Sequence, residues 1–127
     1  MTAKPHHKQI LLIKAKEDLE TAVSLTSLGK FSEEIVLFHC QQAVEKALKA
    51  YLDSINIIYP KSHDLEALLA ICQEKDNTFE QIGFITSLTP YAVEIRYDEF
   101  VSLGTEEITN LVSQTKKAFG FIINKIS

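Results

Sequence analysis

Tryptophan is absent from this chain of 127 residues, and only four glycines and three prolines interrupt it. A fold of many short strands needs frequent turns, so this scarcity of breakers argues for long helices. Cysteine is almost missing as well. Cys40 and Cys72 are the only two, and they have neither the number nor the spacing of a disulfide framework or a zinc site. Each falls among apolar residues at helical spacing, where a thiol behaves as a small hydrophobe. Long apolar runs are lacking too. The piece over residues 10–13 is far short of a secretory core or a membrane span, so no membrane association is expected and a cytoplasmic location is. A surplus of positive charge is also missing. The net charge of −4 disfavours a general electrostatic grip on nucleic acid, although a local basic stripe remains compatible with it. No metal and no cofactor is expected.

What remains is globular composition, 46% apolar and 24% charged, in a length that suits one core and not two. Residues 1–7 read as a flexible lead, and residues 8–126 as a single domain. Leu11, Leu12, Ala15, Leu19, Ala22, Val23 and Leu25 follow helical spacing from about Lys8, and Gly29 stands where a left-handed cap belongs. Ser32 is placed to cap a second helix, with Glu33 and Glu34 in its first turn. That helix runs to about Ser54 and is followed by a loop containing Pro60. Ser62 is placed to cap a third helix over 63–75, and Asp76, Asn77 and Thr78 form a turn. A fourth helix is expected over 79–98, kinked or split at Thr89–Pro90. Thr105 is placed to cap the last, which carries Ile108, Leu111, Val112, Ala118, Phe119 and Ile122. The expected fold is all-α, an up-and-down antiparallel bundle of about five helices.

The second helix has two faces. At about 100° per residue, Leu37, Cys40, Val44, Ala47, Leu48 and Tyr51 gather on a core side. His39, Gln42, Lys46 and Lys49 line up on another. Two ammonium groups about a turn apart can hold a phosphate between them. The same stripe also reads as a solvated face, with Glu45 and Lys49 as a surface pair. Gln41 falls between the core side and Leu52, where a glutamine needs hydrogen-bond partners within the chain or across a dimer interface.

The string from Phe38 to Leu52, FHCQQAVEKALKAYL, resembles the signature helix of bacterial HEPN-domain proteins. Three further segments agree in order and spacing. These are Ala15-Lys16-Glu17-Asp18-Leu19, then Ser62-His63-Asp64-Leu65 followed by Leu68-Leu69, and Tyr91-Ala92-Val93-Glu94-Ile95-Arg96-Tyr97. The resemblance covers about residues 8–125. It implies a helical bundle, often a homodimer, with a role tied to nucleotides or RNA. It also implies a nucleotidyltransferase partner in a toxin–antitoxin-like pair. Active relatives are metal-independent ribonucleases with an R-x(4–6)-H motif. Arg96 matches that arginine, but no histidine follows His63 anywhere in the chain. Arginine stabilises a phosphorane's charge and cannot move protons at neutral pH.

The candidate phosphate-binding residues are therefore Arg96, Tyr97, Lys46, Lys49, His39 and Gln42, with His63 and Gln41 as possible supports. Arg96 equally suits a helix C-terminus, and His63 equally suits a loop-shaping role. The first expectation is a non-catalytic nucleotide- or RNA-binding module. The alternatives are a ribonuclease toxin with a variant site built on Arg96, or a purely structural dimerisation module. The latter draws on a last helix with Phe119, Phe121, Ile122, Ile123 and Ile126 on several sides.

Overall fold

In a computed structural model, residues 5–92 and 101–126 are described, and they form helices with no strand among them. The helices α1 (Pro5–Ser27), α2 (Glu33–Ser54), α3 (Leu65–Lys75) and α4 (Thr105–Asn124) are joined by a 3-10 segment over Asn77–Tyr91. The all-α expectation holds. Five helical elements surround one core built from Ala15, Leu37, Cys40, Val44, Leu48, Leu68, Phe79, Ile108 and Ile122, among others.

Several boundaries follow local chemistry. α1 begins at Pro5, so residues 5–7, expected in the lead, are helical; a first-turn residue has no intrahelical partner for its amide, so proline is tolerated there. Gly29 takes φ 76° after α1, as a left-handed cap requires. Ser32 has the extended backbone of an N-cap, although its side chain makes no capping bond. α2 stops in a Schellman arrangement. The Ile57 amide reaches Leu52 O at 2.9 Å and the Asn56 amide reaches Asp53 O at 3.1 Å, with Asn56 at φ 59°. Asparagine tolerates that conformation better than most residues.

Three expectations are corrected. The cap of α3 is Asp64, whose carboxylate accepts from the Glu66 amide, and not Ser62. Ser62 Oγ instead accepts from the Asp64 amide at 3.0 Å. The cap position of α4 is Gly104, at φ 91°, and Thr105 is the first helical residue. The fourth helix is replaced, over Asn77–Tyr91, by 3-10 turns whose irregular point is Ile82 and not Pro90. Short 3-10 pieces have a poorer hydrogen-bond geometry than an α-helix and rely on packing, here through Phe79, Ile82, Ile85 and Leu88, all buried. Residues 93–98, expected in the same helix, lie outside the described residues.

Register follows from named pairs. Asp18 of α1 meets His39 and Lys46 of α2, and His7 meets Asp53, so α1 and α2 are antiparallel. α3 starts beside the middle of α2, where Gln41 bonds His63 O. The connection over 55–64 therefore runs back along α2 and is not a tight turn between antiparallel neighbours. The 3-10 segment returns antiparallel to α3, with Thr78 next to Asp76 and Thr89 next to Leu65. Glu33 then grips the entry to α4 through Leu103 N and Ser102 Oγ, at 2.8 and 2.9 Å. Lys125 closes the far end on Asp76 at 2.9 Å. The Asp76 carboxyl is held down at about 2 by bonds from the Thr78 hydroxyl, then Lys125 and the Thr78 amide.

Candidate functional site

The polar residues of α2 are fastened to the rest of the chain. His39 Nδ1 lies 2.8 Å from Asp18 Oδ1, and Lys46 Nζ lies 2.6 Å from Asp18 Oδ2. Asp18 is 12% exposed at its side chain and Lys46 26%. One carboxylate of α1 thus uses both its oxygens on two residues of α2, about two turns apart. A short, half-buried, charge-assisted pair of this kind fixes register more than it adds stability.

The second cluster lies at the junction of α2 with α3. Gln41 is fully buried. Its Nε2 donates to Glu45 Oε1 at 2.8 Å and to His63 O at 3.1 Å, while its Oε1 accepts from Gln42 Nε2 at 2.7 Å. The buried amide finds all these partners within its own chain. Glu45 receives Gln41, then His63 Nδ1 at 2.9 Å, and on its other oxygen Lys49 Nζ at 3.0 Å. Burial pushes the Glu45 carboxyl up, but the bonds from Gln41, His63 and Lys49, with the Lys49 charge, together bring it below its ordinary value. The pair of Glu45 and Lys49 predicted at i,i+4 is present, but it is not a surface pair: the side chains are only 4% and 15% exposed.

A third group was invisible to spacing. His7 Nδ1 lies 2.7 Å from Asp53 Oδ2, and the Tyr59 hydroxyl lies 3.5 Å from the same atom. Burial, followed by the Asp53 charge and hydrogen bond, pushes the Tyr59 hydroxyl up to about 12. Lys49 Nζ sits 5.9 Å from the Tyr59 ring centre, within cation–π range. No signal in the sequence pairs His7 with Asp53, because the contact spans two helices.

Of the predicted site residues, the structure brings Lys46 and His39 together on Asp18, and Lys49, Gln41, Gln42 and His63 together around Glu45. Two lysines meet two carboxylates, so the stripe carries compensated charge rather than an open ammonium pair. Lys46→Gln is expected to lower unfolding free energy by about 1 kcal/mol, read from urea melts, since it releases one oxygen of Asp18. Arg96 and Tyr97 lie outside the described residues.

Other chemistry is limited. Burial pushes the Cys40 thiol up to about 11, against a bond with Thr115 that lowers it, and pushes Cys72 up to about 12. Both are free and buried, and a protonated buried thiol is a poor nucleophile. Among the described residues, no group of His, Cys, Asp or Glu is arranged to hold a metal ion, and no helix is long and apolar enough to cross a membrane.

The model of the HEPN domain family matches residues 9–126, nearly the whole chain. The chain belongs to the HEPN domain family. Membership supports a nucleotide- or RNA-related module on an all-helical bundle. Comparison with curated proteins and with solved structures returned no match. Three of the four segments that carried the resemblance contact one another, and the fourth lies almost entirely outside the described residues. Asp18 from the first contacts His39 and Lys46 from the second, and His63 from the third contacts Glu45 from the second.

Proposed function

We propose that this HEPN chain is a non-catalytic nucleotide- or RNA-binding module that works as a homodimer with a nucleotidyltransferase partner, in a toxin–antitoxin-like pair. The observation that carries this reading is the combination of a whole-domain HEPN match with the lack of any histidine after His63. Arg96 and Tyr97 supply a guanidinium for a phosphate and a ring for a base. They have no proton-transfer partner at the spacing that RNA cleavage uses in this family. The lysines of α2 contribute less than their spacing suggested, since Asp18 and Glu45 already occupy them.

For the purely structural reading, Ile122 of α4 is fully buried, and Phe119 and Phe121, with Ile126 just past the helix, are partly buried against the core, whereas Ile123 is not among the residues packed there. Among the described residues, the large apolar side chains left exposed lie outside α4 and include Ile10 and Ile13 of α1, Ile35 of α2, Ile58 and Val101.

The test has three arms on the purified chain. Light scattering is expected to give twice the monomer mass. A thermal shift with ATP to millimolar concentration, or a gel shift with single-stranded RNA, is expected to show binding. RNA incubated with the protein is expected to stay intact. Cleavage abolished by Arg96→Ala would replace this reading with the ribonuclease, and failure of both binding arms would remove nucleotide or RNA contact altogether.

A further inference from the structure

Glu45, Lys49 and Asp53 stand four residues apart on one face of α2, and their side chains are only 4%, 15% and 6% exposed. The connection over residues 55–64 runs back along α2 past this charged strip. Its two ends are well fastened. The Ile57 amide donates to Leu52 O at 2.9 Å, and His63 is held by its ring on Glu45 and by its carbonyl on Gln41. Between those ends, over residues 58–62, no backbone group bonds another backbone group among the described residues, and Pro60 has no N–H to offer. Tyr59 joins this middle stretch to the strip. Its ring centre lies 5.9 Å from Lys49 Nζ and its hydroxyl 3.5 Å from Asp53 Oδ2, each at the outer limit for a contact of its kind. Tyr59 is partly buried against the core, whereas its neighbour Ile58 is 80% exposed and adds little to the seal.

We propose that residues 58–62 are a strap that opens as a unit while the helices stay folded, with Tyr59 as its clasp, and that opening uncovers Lys49. The energetic reason lies in what the strap covers. Opening a core exposes hydrocarbon to water, which is costly. Opening over Glu45, Lys49 and Asp53 returns water to charged groups, and their hydration offsets much of the contact that is lost. The pairs beneath need no rearrangement, because Lys49 keeps Glu45 at 3.0 Å and Asp53 keeps His7 at 2.7 Å. The strap is therefore an autoinhibitory cover, which decides whether this lysine of α2 can be reached from solution. The inference is independent of nucleotide or RNA binding and stands whether or not that reading does.

Site-resolved acetylation by N-hydroxysuccinimide acetate reads the opening on the folded chain, with Lys46 as internal reference. Lys46 lies three residues away but is held by Asp18 of α1 at 2.6 Å, so the strap does not govern it. In the wild type, Lys49 is expected to label about tenfold more slowly than Lys14, whose side chain is 59% exposed. Below the unfolding transition the Lys49 rate is expected to be nearly independent of urea, because a local opening exposes little surface. Tyr59→Ala is expected to raise the Lys49 rate about tenfold and to leave Lys46 unchanged. Tyr59→Phe, which keeps the ring and loses the hydroxyl, is expected to fall between the two. A wild-type Lys49 rate that climbs with urea as steeply as global unfolding overturns the inference, since Lys49 would then be reached only by unfolding. That arm needs no variant and decides the matter even where Tyr59→Ala does not fold. A folded Tyr59→Ala variant in which Lys46 quickens along with Lys49, or in which Lys49 does not quicken, overturns it as well.

Discussion

Glu45→Ala is expected to destabilise the protein by on the order of 3 kcal/mol, lowering the melting temperature by about 10 °C. The carboxylate is the shared acceptor of Gln41, His63 and Lys49. Its removal leaves a fully buried amide short of a partner and strands a nearly buried ammonium. Both desolvation penalties remain after the attraction has gone, which is why deletion of one partner costs more than the pair itself contributes. Because the Glu45 carboxyl is lower in the folded chain than its ordinary 4.5, its contribution is fully present above that value. It is lost as pH falls through the lower folded value. Glu45→Ala is therefore expected to show a flatter acid limb in this window than the wild type. Parallel acid limbs, or a loss under 1 kcal/mol in denaturant melts, would mean that the cluster is incidental.

Phe79→Ala is expected to cost about 3–5 kcal/mol. Phe79 is fully buried, and its ring centre lies 4.6 Å from that of Tyr51 and 5.3 Å from that of Phe121, the latter edge-on. One side chain of the 3-10 segment thus joins α2 to α4. A 3-10 segment has little hydrogen-bond stability of its own, so the loss is expected to expose Asn77–Tyr91 preferentially. Hydrogen exchange on the variant checks this: faster exchange in that segment than in α1 is the expected pattern. Phe79→Leu, which keeps most of the volume, is expected to lose about 1 kcal/mol.

Where one helix's own periodicity carries the information, the fold was legible in the sequence. The core side of α2 is buried at every predicted position from Leu37 to Tyr51, and Gly29 takes its left-handed turn. Asp64 displaced Ser62 as the α3 cap because two residues with N-cap chemistry stand two apart, and only the backbone path chooses between them. The 3-10 character of Asn77–Tyr91 was illegible for a similar reason: an apolar run of that length looks the same at three or 3.6 residues per turn.

Of the residues singled out, His39, Gln41, Gln42, Lys46 and Lys49 of α2 and His63 beside it fall in two polar clusters, while Arg96 and Tyr97 lie outside the described residues. What the sequence could not supply was Asp18, twenty-one residues before His39 and on another helix, or the burial of Glu45 beneath His63. Both depend on the register between helices, which local spacing does not encode. A like-signed pair on a wheel therefore looked like an anion cradle, when each charge had its counterion elsewhere in the chain.

α2 commits Lys46 and Lys49 to Asp18 and Glu45, so nucleotide or RNA binding, as proposed, should not depend on them. The most direct measurement titrates ATP and single-stranded RNA against wild type and Lys46→Gln, with urea melts of both. The account predicts a variant that is less stable and binds with unchanged affinity. A variant of unchanged stability whose affinity falls about tenfold would return Lys46 to the ligand and contradict it.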